Sequence, residues 1–257
     1  MKYKHILLLF YFLAMCLHLV GVNAKTLSIG IAHFPPYSIV DGDNISGAEI
    51  EIIQRSLSGK DYQIKFLNYP FGRLPNVFSH KKLDGIIVTL KNIAVEKVYY
   101  SDIVLPEYQT VAVHLKENGL QIMSIKDLAG KSIIAHQQAS QFYGEEYKRI
   151  SDVGRSILEY TETIRQGAQV SMLYKNRVDI IILAREIFQY YRSRLTAKVA
   201  AREVVISEIF GDKIGFHNAF ADEKVRDAFD QGLAEIKKNG QYKMILKKYL
   251  KFYQPNL

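Results

Sequence analysis

Short apolar strands alternate with amphipathic helical segments along this chain, and that alternation limits the fold more than any other feature. Residues 27–31 have the two-residue period of a strand, and apolar side chains then recur on one helical face in residues 50–57. The spacing of Ser46-Gly47-Ala48-Glu49 predicts a capping box at the start of that helix. Residues 62–66 and 85–88 follow as strands. Strands that alternate with helices are typical of a parallel sheet covered by helices.

The second half of the chain repeats the theme. Residues 111–113, 132–135 and 178–182 are predicted strands, and the polar stretch before the last of them is predicted to be helical. An apolar stripe over residues 225–236 predicts a helix that ends at Asn239-Gly240, where glycine supplies the left-handed cap. A second, lysine-rich helix follows. Because no Pro/Gly/Ser-rich linker separates the two α/β units, we expect two lobes joined by short strands.

The first residues have the pattern of an export signal. Lys2 and Lys4 precede an apolar run over residues 6–20, and Ala24 ends a suitable peptidase site. Cleavage after Ala24 leaves 233 of the 257 residues; a retained anchor is the alternative. The single cysteine, Cys16, lies inside the signal, so the mature chain can form neither disulfides nor thiolate sites. We expect a periplasmic protein.

Charge and motifs exclude several kinds of partner. Removal of the signal leaves 32 basic and 26 acidic residues, a net charge of +6, which mildly favours acidic ligands and is too weak to indicate nucleic acid. The five histidines that remain lack metal-motif spacing. A phosphate-cradling glycine loop and a nucleophile elbow are also missing. We therefore expect no cofactor and no metal.

Four segments in sequence order carry a resemblance to a known family. The chain resembles the periplasmic substrate-binding proteins typified by the amino-acid-binding members of ABC importers. The segments are Phe34-Pro35-Pro36-Tyr37 with Gly47-Ala48-Glu49-Ile50-Glu51-Ile52, Lys82-Leu83-Asp84-Gly85 running to Tyr100-Ser101-Asp102, Lys126-Asp127-Leu128-Ala129-Gly130-Lys131, and Val225-Arg226-Asp227-Ala228-Phe229 running to Asn239-Gly240-Gln241-Tyr242 and Tyr249-Leu250.

The resemblance implies a type II periplasmic-binding-protein fold of class α/β, with a ligand cleft between two lobes. Residues 25–107 would form the first part of lobe 1, residues 108–210 the hinge and lobe 2, and residues 211–257 the return to lobe 1. Hinges are expected near residues 108–113 and 205–215.

The same resemblance implies a monomer that binds a small molecule and works with an inner-membrane ABC permease. Two alternatives stay open. One is a small dehydratase-like enzyme on this fold, with Glu49 or Glu51 as its general acid. The other is an accessory protein that presents its ligand to a sensor. Neither the pattern nor the resemblance points to nucleic acid.

Three candidate ligand-binding residues come from lobe 1. The resemblance places Tyr37, after the diproline, as an aromatic wall of the cleft, although a core tyrosine is the alternative. Arg73 has the planar fork that binds a carboxylate bidentately, or it pairs with a carboxylate of its own lobe. Thr89 follows a buried strand, where its hydroxyl either meets ligand oxygens or caps a loop.

Three more candidates come from lobe 2. His136 and Ser140 lie in a loop whose amides grip the ligand carboxylate in the resembled family. Gln138 stands where that family has glycine, which limits the approach of the backbone. His136 serves equally well as a structural hydrogen-bonding residue. Arg185 is a further candidate, next to the position of the family's acidic residue.

The departures from the family concern the two charged anchors of an amino acid. The loop over residues 90–97 lacks the arginine that pairs with the α-carboxylate, so Lys91 or Arg73 would have to replace it. Ala184 stands where the family places the acid that pairs with the α-ammonium. An unpaired buried charge is costly, so these changes argue against an amino acid bound in the family's usual way.

Overall fold

The structure, a computed structural model, describes residues 24–89, 91, 93, 97–211 and 214–250. Residues 1–23 of the predicted export signal lie outside these residues. Within them the chain forms two lobes, each built on its own sheet. The strands are β1 (Lys25–Ile31), β2 (Ile39–Asp41), β3 (Asn44–Ser46), β4 (Tyr62–Asn68), β5 (Gly85–Thr89), β6 (Tyr99–Tyr100), β7 (Leu105–Tyr108), β8 (Thr110–Leu115), β9 (Ile133–His136), β10 (Tyr160–Thr163), β11 (Ile180–Ala184), β12 (Val204–Ser207) and β13 (Ile214–Phe220).

Helices cover the sheets of both lobes. None of the helices in the described part of the chain is long and apolar enough to cross a membrane. They are α1 (Ala48–Ser56), α2 (Leu74–Ser79), α3 (Gly144–Ser156), α4 (Gln166–Tyr174), α5 (Arg185–Arg192), α6 (Ala197–Ala200), α7 (Glu223–Lys238) and α8 (Gln241–Tyr249).

The two sheets have the same strand topology, and the chain crosses between the lobes twice. The sheet of lobe 1 has the order β4-β1-β5-β13-β6, with β7 paired to β13. That of lobe 2 has the order β10-β9-β11-β8-β12. In each, three strands run parallel, and one crossing strand pairs antiparallel with the last of them: β13 with β5 in lobe 1 and β8 with β11 in lobe 2. The chain enters lobe 2 between β7 and β8 and returns between β12 and β13. The two-lobed α/β fold predicted from the sequence is confirmed.

One aspartate in each lobe ties neighbouring strands together at the end where they begin. In lobe 1 the Asp84 carboxylate, just before β5, accepts from the backbone N–H of Ser28 at 2.8 Å. In lobe 2 the Asp179 carboxylate, just before β11, accepts from both the N–H and the hydroxyl of Ser132 at 2.8 Å. A charged acceptor makes such bonds stronger than neutral ones, so each aspartate helps to hold the register.

The start of α1 differs from the predicted capping box. Its N-cap is Gly47, with φ of 127°, and no side chain caps it. The first amides of α1 donate instead to the carbonyls of Pro36 and Tyr37, at 3.1 and 3.0 Å. A Cβ at Gly47 would lie 2.3 Å from the Tyr37 carbonyl oxygen, so this close approach requires glycine. The capping-box prediction is wrong because a loop from earlier in the chain supplies the acceptors.

The C-terminal helices follow the prediction. Helix α7 ends at Lys238, and Gly240 takes the left-handed conformation with φ of 83°. The apolar stripe of α7 is buried against lobe 1. Gly232 lets α7 approach the end of α1 closely, since a Cβ there would lie 1.8 Å from the carbonyl oxygen of Ser56. The C-terminal helices thus pack closely against lobe 1.

Candidate ligand-binding cleft

A cleft of about 460 Å³ lies between the lobes and is lined by both of them. Four loops at the carboxyl ends of parallel strands form most of its wall, as expected for sheets of this type. Those loops follow β1, β4, β9 and β10, and single residues of β5, β7, β8, β13 and α5 complete the wall. The lining residues are Ala32, His33, Phe34, Asn68, Tyr69, Pro70, Phe71, Gly72, Leu74, Pro75, Ile86, Tyr108, Thr110, His136, Gln137, Gln138, Phe142, Tyr143, Thr163, Ile164, Arg165, Gln166, Tyr191 and Phe216.

The wall from lobe 1 is largely aromatic. The rings of Phe34 and Phe71 meet edge to face with centroids 5.1 Å apart, and those of Tyr108 and Phe216 do so at 4.7 Å. Tyr37 is not part of this wall. It is only 3% exposed and packs behind Tyr108, with ring centroids 5.5 Å apart. The expectation that Tyr37 lines the cleft is wrong, because its loop turns the ring into the core of lobe 1.

His136 lies in the cleft wall of lobe 2 and belongs to a chain of hydrogen bonds. Its Nε2 lies 2.6 Å from the hydroxyl of Tyr143, which in turn lies 2.9 Å from the Thr110 hydroxyl. Its Nδ1 lies 3.0 Å from the carbonyl oxygen of Gln137. Burial lowers the pKa of His136, which favours the neutral ring. A neutral ring that donates from Nδ1 accepts at Nε2, so these bonds fix both its tautomer and its orientation.

Ser140 faces away from the cleft. The N–H groups of Gln138 and Ser140 donate to the two oxygens of the Glu162 carboxylate, at 2.8 and 2.9 Å. Arg155 donates to both the Ser140 hydroxyl and Glu162, at 2.9 Å each. Burial alone would raise the pKa of Glu162, but these hydrogen bonds hold that pKa below its usual range. The carboxylate of the protein itself therefore occupies the place expected for a ligand, which makes a direct Ser140 contact inconsistent with the structure.

The remaining sequence candidates lie elsewhere. Arg73 is exposed, and neither it nor Arg185 lines the cleft. Arg185 forms an ion pair with Glu208, a partner too distant in sequence to be anticipated. The side chain of Thr89 lies outside the described residues; its backbone pairs with His217 in β13. Ala184 is buried with 1% exposure, so it offers the cleft no polar group.

The amino end of α4 supplies a charged part of the wall that the sequence interpretation missed. Arg165 lines the cleft just before α4, and its backbone N–H donates to the Thr163 hydroxyl at 3.0 Å. Gln166 follows with only 3% exposure. The side-chain amide of Gln169 donates to the carbonyls of Ile134 and Ile182 at 2.6 and 3.0 Å, which holds α4 against the sheet.

The signal for this part of the wall was the short strand β10. The polar pattern predicts a helical stretch there, but residues 160–163 pair with β9 at the edge of the sheet. Had β10 been recognised, the rule that ligands lie beyond the carboxyl ends of parallel strands would have pointed to residues 163–166.

Residues of the two lobes approach one another across the cleft. The hydroxyl of Tyr191 lies 3.4 Å from Nε2 of His33. On the other side, a Cβ at Gly72 would lie 3.2 Å from the side-chain nitrogen of Gln137. No cluster of three or more histidine, cysteine, aspartate or glutamate side chains is placed to hold a metal in the described part of the chain. The approaches between the lobes bound the cleft on two sides.

Comparison with known proteins places this architecture in a family. Residues 27–252 match the bacterial extracellular solute-binding proteins, family 3. The arginine-binding extracellular protein ArtP of Bacillus subtilis is 24% identical over 241 residues, covering 88% of this chain and 86% of ArtP. An L-arginine-binding protein of Pseudomonas aeruginosa is 22% identical over 237 residues, covering 89% of each chain.

A solved structure shares the fold. The substrate-binding protein of an amino acid ABC transporter superposes with a TM-score of 0.66 at 20% identity, covering 88% of this chain and all of the other. With a family match that spans nearly the whole described chain, this protein belongs to the bacterial extracellular solute-binding proteins of family 3.

Proposed function

We propose that this protein is exported by cleavage after Ala24 and works in the periplasm as a monomer. There it captures a small anionic or amino-acid-like molecule by closing its lobes and passes it to an ABC permease. The observation that carries the proposal is the cleft of about 460 Å³, whose wall combines aromatic rings of lobe 1 with polar groups of lobe 2. A volume of this size suits a small metabolite.

Closure follows from how the lobes are connected. We take residues 108–113 and 205–215 as the hinges, and 25–107, 108–210 and 211–257 as the parts of the two lobes. The two crossings between the sheets support this division. Ligand contacts on both lobes would stabilise the closed arrangement relative to an open one. His136 remains a candidate contact, since it lines the cleft.

The relatives support both the ligand class and the transport role. Two of them are named for arginine binding, and the solved structure is named as part of an amino acid ABC transporter. The dehydratase alternative draws no support from the two acids considered for it. Glu49 is buried in lobe 1, and Glu51 pairs with Lys248 at 2.7 Å, so neither lines the cleft.

A ligand screen tests the proposal. The exported protein is heated with a panel of amino acids, organic acids, amines and sugars, and its unfolding temperature is followed. We expect one chemical class to raise that temperature, since a ligand that binds only the folded state stabilises it. Mass spectrometry should recover the stabilising compound unchanged, and small-angle scattering should show a smaller radius of gyration. Consumption of the compound, or no stabilisation by any class, would contradict the proposal.

A further inference from the structure

We propose that the cleft takes a carboxylate with an apolar body, and that the amino end of α4 holds its carboxylate through Arg165 and Gln166. This rests on the proposed function, because it names the ligand class of the same cleft. It moves the anion away from the loop after β9, where the resembled family binds it.

The loop after β9 is already satisfied by the protein. Its amides at Gln138 and Ser140 donate to Glu162, and Arg155 neutralises that carboxylate at 2.9 Å. A second carboxylate placed against this loop would find both of these amide donors already engaged by Glu162. An anionic ligand must therefore find its donors elsewhere in the cleft.

The amino end of α4 offers such donors. The helix is nine residues long, and no side chain caps its first turn, so its first amides remain available. Amide donors and the helix dipole at such an end favour an anion. Arg165 lines the cleft beside these amides and forms no ion pair within the described part of the chain. Its guanidinium is the cation best suited to a carboxylate.

Gln166 points to a ligand independently of the helix end. The residue is only 3% exposed and lines the cleft. Its side-chain amide has no hydrogen-bond partner among the described residues. Because this amide has no partner in the described part of the protein and borders the cleft, it can hydrogen-bond to a group that a ligand places there. Gly167 next to it packs against the ring of Tyr191, where a Cβ would lie 2.8 Å from a ring carbon. The amino end of α4 is thus packed closely against α5.

The facing wall selects the rest of the ligand. Phe34 and Phe71 present an edge-to-face aromatic pair, and Phe216 extends it. These rings fit an apolar or aromatic body. Ala184 stands at the family's position for an acid that pairs with an ammonium, and it is buried and apolar. The lining residues that the structure describes contribute no carboxylate either. A plain carboxylate matches this wall better than a zwitterion does.

Calorimetric titration with three matched probes tests the inference. The probes are 3-phenylpropionate, its neutral amide 3-phenylpropanamide, and the zwitterion phenylalanine. We expect the carboxylate to bind most tightly, and about tenfold or more above the amide, since a hydrogen bond to a charged group is worth about 1.5–3 kcal/mol. Arg165→Ala should remove a similar factor, Arg165→Lys should recover part of it, and Gln166→Leu should weaken binding severalfold.

A matched control removes a different positive charge of lobe 2. Arg194 is exposed, contacts the Tyr190 carbonyl at 3.0 Å and lies outside the cleft wall, so Arg194→Ala should keep the affinity within about twofold. Equal affinity for carboxylate and amide, or an Arg165→Ala protein that binds as tightly as the native one, would overturn the subsite. So would phenylalanine binding without phenylpropionate binding, although that result leaves the proposed function standing. If neither these probes nor the wider panel bind, the proposed function fails as well.

Discussion

A buried carboxyl in lobe 1 should make the stability of this protein fall as the pH rises. Glu49 is 1% exposed, and both of its carboxyl oxygens are buried without a hydrogen-bond partner among the described residues. Burial raises its pKa from the ordinary 4.5 to about 8. The amino end of α1 favours the anion by only about 0.3–1 kcal/mol, which is less than the cost of burying the charge. The folded protein therefore keeps this group protonated at neutral pH.

The size of the effect follows from proton linkage. Below pH 4.5 both the folded and the unfolded chain carry the proton, so Glu49 contributes no pH dependence. Between pH 4.5 and 8 the folded state holds one proton more than the unfolded state, and the free energy of unfolding drops by about 1.4 kcal/mol per pH unit. The accumulated loss at pH 8 is about 5 kcal/mol. Glu49→Gln keeps the shape and cannot ionise, so it removes this slope.

Urea unfolding of the native protein and Glu49→Gln from pH 5 to 8 measures the difference. The variant should gain about 4 kcal/mol relative to the native protein over that range. Glu51→Gln is the matched control, two residues along α1. The hydrogen bond from Lys248 lowers the pKa of Glu51, so its stabilisation is lost only as the pH falls below its ordinary pKa, outside this range. Parallel pH profiles for Glu49→Gln and the native protein would refute the reasoning.

Three further substitutions test the packing and the cleft. Gly72→Trp should weaken ligand binding about tenfold or more and leave the protein open in small-angle scattering, because an indole cannot fit beside Gln137. The control Gly72→Ala should bind the ligand normally, since its methyl group meets only the end of a flexible side chain. Gly232→Ala should lower the free energy of unfolding, measured by urea unfolding, by about 1–3 kcal/mol. The clash with the Ser56 carbonyl outweighs a gain of about 1 kcal/mol in helix propensity. A stabilised variant would contradict this. Glu162→Gln should lower the free energy of unfolding by about 1.5–3 kcal/mol at pH 7. This loss should shrink as the pH falls below the ordinary carboxyl pKa, because the native stabilisation depends on the anion. A loss of stability that does not change with pH would be inconsistent with that role.

The hydrophobic period predicted most of the fold, because it depends only on which face of a helix or strand is buried. The strands over residues 27–31, 85–88 and 178–182, and the end of α7 at Gly240, were all readable from local pattern. The polar edge strand β10 was not, since a strand at the edge of a sheet needs little apolar sequence and its pairing partner lies in β9. Local signals failed where a distant segment supplied the hydrogen bonds.

The candidate site shows the same division more sharply. The sequence identified the loop after β9, and His136 does line the cleft. Ser140 and Arg185 have residue types and positions that suit ligand binding. However, Glu162 accepts a hydrogen bond from the Ser140 backbone and Glu208 pairs with Arg185, so neither side chain lines the cleft. Each carboxylate lies more than twenty residues further along the chain. Which arginine faces the ligand depends on which carboxylates come close after folding, and no local pattern records that.

The sequence by itself determined the alternation of elements and the two-lobed α/β fold, and it predicts an export signal and the loss of the family's usual charged anchors. These follow from hydrophobic period and residue type, which are properties of short segments. Only the tertiary structure decided that Tyr37 packs behind the cleft and that Arg165 and Gln166 face the space between the lobes. It also decided that the Glu49 carboxyl is buried with no hydrogen-bond partner among the described residues. The physical reason is that side-chain burial and ion pairing are set by contacts between segments far apart in the chain.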